Sequence, residues 1–323
     1  MTTRTRRIPR LSADTVAECL LSAAAAPSIH NTQPWRFALP PGGVEVYADG
    51  SRRLSVVDPR GRELTISLGA AVLNLRVAIL RHGRVPITRL LPDPSRPDLV
   101  AEVRLGTPVE PDSTVRALAR AIPLRHTNRR PFTRVTIPPE VLGELVAAAE
   151  VEGASLAVAD DLARDQLLSL VRSADRTLRT EPGYRAELTD WTTTDPLRTD
   201  GVPRYAFGPW DALETLPLRD FGLTRPAEPR RSAHFEAKPT IVVLSTPGDG
   251  PDQWLRAGQA LERVLLTATL RGVASTPMSQ PLEVPRLRQL LRTGASYPQV
   301  VLRIGYGPGA VGTPRRPLAE VLR

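Results

Sequence analysis

The stretch Ala26-Pro27-Ser28-Ile29-His30-Asn31-Thr32-Gln33-Pro34-Trp35-Arg36-Phe37 packs hydroxyls, two side-chain amides, a histidine, an indole and an arginine between prolines. The side chains of Ser28, Asn31 and Gln33 can donate and accept hydrogen bonds in one plane, which is what the polar edge of a flat heteroaromatic ligand needs. The same residues would also make an ordinary polar turn after a helix. A second cluster is Arg125-His126-Thr127-Asn128-Arg129-Arg130-Pro131-Phe132. On an extended segment, alternation sends Arg125, Thr127 and Arg129 to one side. Two guanidinium forks and a hydroxyl then form a phosphate clamp, or else a solvated basic turn. A third cluster, Pro314-Arg315-Arg316-Pro317, could close the same clamp.

The elements that would position these residues follow from periodicity. Residues 16–26 read as a helix that Pro27 stops. Ile66, Ala70, Leu73, Val77 and Leu80 step at helical spacing up to Gly83, and Trp254, Gly258, Leu261, Leu265 and Ala268 do the same up to Gly272. Strands are expected at 44–47 and 240–245 before these helices, and at 100–105 and 300–306 after them, with proline-containing loops between. The order strand, helix, loop, strand thus occurs twice, implying two related α+β halves, 1–110 and 111–323. Further helices are expected at 113–121, 139–150 and 161–180. Residues 181–238 have no steady period and carry most of the large aromatics. They read as an ordered excursion with short helices that covers a site.

Composition limits the function classes. The formal net charge is +9, yet Lys238 is the single lysine among 43 cations, and the arginines are scattered. Such an arginine, alanine and proline bias fits a GC-rich genome, and no arginine-rich helix alternates with stacking aromatics. Nucleic-acid binding is not expected; attraction to small phosphorylated molecules is. Cys19 is the only cysteine, which excludes a disulfide or a multi-cysteine metal site. The histidines show no metal-ligand spacing, no run of apolar residues is long enough to span a membrane, and the basic N-terminus lacks the apolar core of a secretory signal. A cytoplasmic protein is the expectation.

Pro27-Ser28-x-x-Asn31-x-Gln33-Pro34-Trp35 resembles the flavin-contacting motif of the nitroreductase family, and Arg125-His126-Thr127-Asn128-Arg129 resembles that family's phosphate-binding opening. Val273 to Ser279 is similar to its turn passing the flavin ring, and Arg303-Ile304-Gly305-Tyr306-Gly307 with Arg315-Arg316 to its last strand and tail. The resemblance covers most of the chain outside 181–238. In an ordinary nitroreductase the clamp precedes the Pro-Ser motif in one short subunit, and flavin binds between two subunits. Here the motifs are in opposite order and opposite halves, similar to the Acg-like single-chain actinobacterial subfamily. The resemblance therefore implies a nitroreductase-like α+β fold, a fused pair imitating the family dimer, one FMN site, and a chain able to act as a monomer.

By the same resemblance, Arg125, Thr127, Arg129 and Arg316 would hold the FMN phosphate, with His126 matching the clamp. Ser28, Asn31 and Gln33 would meet the flavin's polar edge and ribityl chain, and the backbone near Met278 and Ser279 would approach N5 and O4. His30 would contact flavin or cap structure, Arg36 would pin the loop, and Trp35 would pack in the core. No side chain is assigned a catalytic role, since hydride arrives at and leaves from the flavin. Three functions are compatible: reduction of a quinone, nitro compound or related acceptor by NAD(P)H; FMN sequestration under the 181–238 lid; or a specialised dehydrogenase holding its substrate on Trp191 or Tyr205.

Overall fold

The computed structural model describes residues 11–211, 213–224 and 230–323. Helix α1 (Ala13–Ala24) is capped by Ser12, whose side chain accepts the Thr15 N–H, and Pro27 lies just beyond its end. A four-stranded antiparallel sheet follows, built from β1 (Trp35–Ala38), β2 (Gly43–Ala48), β3 (Arg84–Leu90) and β4 (Leu99–Pro108) in the order β1-β2-β4-β3. Helix α2 (Arg62–Arg81) connects β2 to β3, and His82 leads to Gly83, which takes the left-handed φ of +74°. Next come α3 (Ser113–Ala121), α4 (Pro139–Glu150), β5 (Ser155–Val158) and α5 (Asp161–Thr180), whose bounds match the expected helices. Asp112 and Asp160 cap α3 and α5.

The 181–238 excursion is ordered where described. It contains α6 (Tyr184–Asp190) and two minimal parallel pairings, β6 (Thr192–Thr193) with β7 (Val202–Pro203) and β8 (Trp210–Asp211) with β9 (Ser232–Ala233). Tyr184, Leu188, Val202, Phe207 and Phe221 join Leu54, Val57, Val284 and Leu287 in one buried cluster, which fixes the excursion to both halves. The chain then forms β10 (Thr240–Thr246), α7 (Pro251–Leu270), β11 (Ala274–Pro277), α8 (Gln280–Glu283), α9 (Pro285–Leu290) and β12 (Tyr297–Gly305), and ends in α10 (Leu318–Val321).

The second sheet runs β5-β10-β12-β11. Its order repeats that of the first, with α7 in the place of α2. Two segments expected as loops, 84–90 and 274–277, are strands. Both are edge strands, where Pro86 and Pro277 are tolerated because a missing N–H need not break an interior ladder. The tail departs from a simple division at residue 110. Val321 is buried in the first half's core, and the Arg323 N–H reaches the Phe37 carbonyl at 2.8 Å.

The halves meet where α2 crosses α7. A Cβ on Gly258 would lie 2.0 Å from the Ile66 carbonyl oxygen, and one on Gly69 would lie 2.2 Å from that of Leu255. The two backbones are thus in direct contact, an approach only glycine permits. Helix α2 is long and apolar enough to cross a membrane, but 78% of its most apolar window is buried inside the fold.

Gly258→Ala should destabilise the protein by about 1–3 kcal/mol, despite alanine's better helix propensity, because the helices must part. Gly143→Ala in α4, where a Cβ meets nothing within 4 Å, should be neutral or gain up to about 1 kcal/mol. Urea unfolding of both variants checks this, and equal effects would contradict the crossing.

Candidate functional site

The 27–34 loop is held in a conformation that its residues do not favour alone. His30, Asn31 and Gln33 have φ of 47°, 57° and 50°, left-handed values costing about 1–2 kcal/mol each for residues with a Cβ. Long-range hydrogen bonds offset that cost. Ser28 Oγ accepts the Gln33 N–H at 2.9 Å. Asn31 Nδ2 donates to the carbonyls of Gly201 (2.9 Å) and Pro314 (3.2 Å), and its Oδ1 accepts from Arg315 Nη1 at 3.0 Å. Gln33 Nε2 donates to Thr199 O at 2.8 Å, and its Oε1 accepts the Arg316 N–H at 2.8 Å. This corrects the reading of Gln33 as part of a ligand-facing edge, whereas Asn31, braced in the same way, still lines the slot described below. Gln33 is fully buried away from the cavities, and both residues brace the loop against the excursion and the tail. Arg36 pins the next strand through Asp49 at 3.1 Å, and Trp35 is fully buried in the core, as expected.

The Arg125–Arg129 segment continues the edge of the second sheet. Thr127 bridges Ser275 in parallel, and the Asn128 N–H donates to Ser275 O at 2.9 Å. Alternation then places Arg125, Thr127 and Arg129 on the wall of one slot of about 40 Å³, together with Ser28, Asn31 and His126. The last cation of the slot is Arg315, not Arg316. Arg316 turns away, its guanidinium donating to the Glu320 carbonyl at 2.7 Å and pairing with the Glu320 carboxylate at 3.4 Å. These tail partners select between the two neighbouring arginines.

The slot shares Pro27, Ser28, Thr127 and Arg129 with a cavity of about 110 Å³. His30, Glu63 and Ser67 of the first half and Thr276, Pro277 and Ser279 of the second line this cavity, and Leu218, Arg219 and Phe221 of the excursion cover it. The site therefore lies between the halves. Met278 does not reach it: the side chain is fully buried in a separate cluster, and its N–H donates to Val301 O at 2.9 Å. Ser279 remains on the wall.

Electrostatically the site is an under-compensated cation cluster. Burial, then repulsion from Arg219, brings the Arg129 guanidinium down to about 10. Its Nη1 donates to Ala206 O at 2.9 Å, and its guanidinium carbon lies 4.7 Å from the Phe221 ring centre. Burial, then Arg125, brings Arg315 down to about 9. His126 is lowered by burial and by Arg125 and Arg315. Burial, Arg219 and Arg129 hold His30 well below the usual imidazole range, and neither of its ring nitrogens has a hydrogen-bond partner among the described residues. The Arg125 and Arg315 Nε groups also lack a hydrogen-bond partner among the described residues. Buried donors and cations converging on one slot are the chemistry of a phosphoryl dianion's seat. A neutral imidazole at the other end can give or accept one hydrogen bond.

Beneath the clamp lies a residue that motif reasoning missed. Glu262 of α7 is fully buried, with its nearest cation, Arg125 Nε, at 3.5 Å. Burial pushes its carboxyl up to about 7 against the pull of Arg125. A legible signal existed, since Glu262 follows Leu261 on the helix's packed face, where a charge is out of pattern. Glu63, on the cavity wall, is likewise raised to about 7, chiefly by burial. The roles of Leu218, Arg219 and Phe221 had no signal beyond the excursion's aromatic content.

The model of the family described as "Nitroreductase family" matches residues 123–306. The Mycobacterium tuberculosis protein Rv3131, provisionally named an NAD(P)H nitroreductase, is 35% identical over 321 residues, covering 96% of this chain and 91% of its own length. The acg protein of that organism, also provisionally named an NAD(P)H nitroreductase, is 28% identical and covers 96% of each chain. Among solved structures, the FMN-dependent nitroreductase NfnB of Mycobacterium smegmatis in complex with NADPH aligns with 65% of this chain and 99% of its own, at 17% identity and a TM-score of 0.39.

Glu262 yields a pH prediction. In the unfolded chain it loses its proton near 4.5, and in the fold near 7. The stability it contributes is fully present below the lower value and is lost as pH rises through the upper one. Urea midpoints should show Glu262→Gln gaining on the wild type from about pH 5 to pH 8. A pH-independent difference between the two would contradict a protonated Glu262.

Proposed function

The chain belongs to the nitroreductase family, and from that premise we propose that it is an FMN-dependent oxidoreductase that passes hydride from NAD(P)H to a quinone, nitro compound or related acceptor. The carrying observation is the slot and the adjoining cavity between the halves, which share four lining residues and are cationic at one end and lined by Thr276, Pro277 and Ser279 at the other. The residues present fit the cofactor: buried guanidiniums at the slot suit its phosphate, and the unpartnered imidazole at the cavity suits a heteroaromatic edge. When bound, FMN supplies two-electron hydride chemistry at its N5.

The chain's own residues have distinct tasks in this reading. Arg125, Arg315 and Arg129 hold the phosphate, with Thr127 and Ser28 adding hydroxyls from opposite halves. His126 borders the slot as a neutral ring. His30 offers one hydrogen bond to the ring system. Arg219 is neutralised by Glu283 at 2.5 Å, whereas Arg129 is not paired with a carboxylate among the described residues. Arg129 is thus the clamp cation with no carboxylate of its own to compete with the phosphate. Both halves contribute within one chain, so a monomer suffices for one site. The repeated strand order supports reading the chain as a fused family pair.

One observation favours the sequestering alternative. Leu218, Arg219 and Phe221 close over the cavity, and even together the two spaces fall below the roughly 300 Å³ at which pockets for such ligands begin. The excursion must therefore lift to admit a ligand of that size, and it would govern how fast the flavin is reduced.

The purified protein should be yellow. Arg125→Ala with Arg315→Ala should weaken FMN about a hundredfold or more, as two charge-assisted contacts are lost, while Arg316→Ala should stay near wild type. Fluorescence titration with FMN checks both, and undiminished affinity in the double variant would overturn the clamp. Anaerobic NADPH should bleach the flavin band. A faster bleach in Phe221→Ala would favour the excursion as the gate, and an unchanged rate would remove that role.

A further inference from the structure

Outside the flavin cavity, a groove of about 1380 Å³ lies on the outer face of the excursion. Arg130, Arg204, Arg230 and Arg231 line it, with Tyr205 and Trp210 between them. The two rings are 56% and 42% exposed, whereas Trp35 and Trp254 are 0% and 7% exposed. Partly exposed aromatic rings set among guanidiniums offer stacking faces.

The groove's charge is unbalanced. Asp220 is the one carboxylate on the described lining, and it pairs with Arg230 at 2.5 Å, while Arg230 also sits 5.5 Å from the Trp210 ring. Arg179, further along the wall, is taken by Asp175 at 2.6 Å. Arg130 and Arg231 have no carboxylate partner among the described residues. Two arginine forks beside two flat rings would bind a multiply charged phosphate ester that carries an aromatic base.

The groove also adjoins the flavin cavity through spaces that share walls. A second space of about 370 Å³ shares Trp210, Asp220 and Arg230 with the groove. At its inner end it shares Arg129, Leu218 and Arg219 with the flavin cavity. A ligand anchored in the groove by its base and phosphates can thus direct its far end toward the wall that covers the flavin. An extended dinucleotide has that shape, with an anionic adenosine end and a hydride-bearing ring at the other.

Resting on the oxidoreductase reading above, we propose that this groove is the docking site for the adenosine 2′-phosphate end of NADPH, and that it selects NADPH over NADH. Arg130 and Arg231 take the extra phosphate, and Trp210 and Tyr205 flank the adenine. No bond is made or broken in the groove; it sets affinity and donor choice, and its contribution weakens as salt screens the exposed charges.

The test uses the FMN-loaded protein. Calorimetry with adenosine 2′,5′-bisphosphate should detect binding that Arg130→Glu with Arg231→Glu weakens about ten- to a hundredfold. The same double variant should lose its preference for NADPH over NADH in anaerobic reduction while keeping its FMN affinity. Trp210→Ala should weaken both nucleotides alike. Equal use of NADPH and NADH by the wild type, or unchanged bisphosphate binding in the double variant, would overturn the groove assignment. Failure of the underlying reading looks different: the protein would not retain FMN, or its flavin would be reduced by dithionite but by neither nucleotide.

Discussion

The structure depends on one backbone contact, the crossing of α2 and α7 at Gly69 and Gly258. Each helix spans its own half and carries that half's sheet, so the crossing sets the distance between the sheets. The slot and cavity open on the seam this contact defines. Ile66 and Ser67 lie just before Gly69, and Leu261 just after Gly258, and all three line the cavity. Glu262 is the next residue on α7, directly beneath Arg125. A shift of the crossing by the width of one methyl group would move the cavity's floor and the base of the clamp together. Interiors at crystal-like density do not absorb such changes locally.

Upon that scaffold the charge arrangement is a compromise between folding and binding. Buried guanidiniums are expensive unless paired, and the fold partly pairs Arg125 with Glu262 while surrounding Arg315 with carbonyl oxygens of Ala25 and Ala26. What remains unbalanced is the cationic excess on which the proposed phosphate seat rests. The loop opposite is handled differently: its left-handed residues are stabilised by amide hydrogen bonds to Thr199, Gly201 and Pro314. The loop, the excursion and the tail therefore form one hydrogen-bonded unit, and the conformation of each depends on the other two.

Much of this was legible in the sequence, and what was not had physical reasons. Helices 113–121, 139–150 and 161–180 were readable to the residue, because Asp112, Pro139 and Asp160 punctuate their starts and apolar spacing fills their interiors. Strands Arg84–Leu90 and Ala274–Pro277 were hidden by prolines that only an edge position excuses, and edge position is a property of the sheet, not of the segment. The alternation of Arg125, Thr127 and Arg129 could be read locally, and the three do share a wall. The choice of Arg315 over Arg316 could not, since it rests on Glu320 and on the Asn31 and Ala25 oxygens. Asn31 and Gln33 stand out locally for their hydrogen-bonding capacity, but their partners lie more than 160 positions away. Local chemistry says what a side chain can do; only the fold says where it is already committed.

Two sheets of the same strand order on one polypeptide have a further consequence. In a symmetric pair of separate chains every substitution appears twice, once on each side of the axis, so neither copy can drift alone. Here Gly69 and Gly258 occupy comparable places in different sequence contexts, and a change in one leaves the other intact. The Pro-Ser loop exists only in the first half and the arginine clamp only in the second. A single chain with one such cleft is not constrained to keep a second, equivalent one.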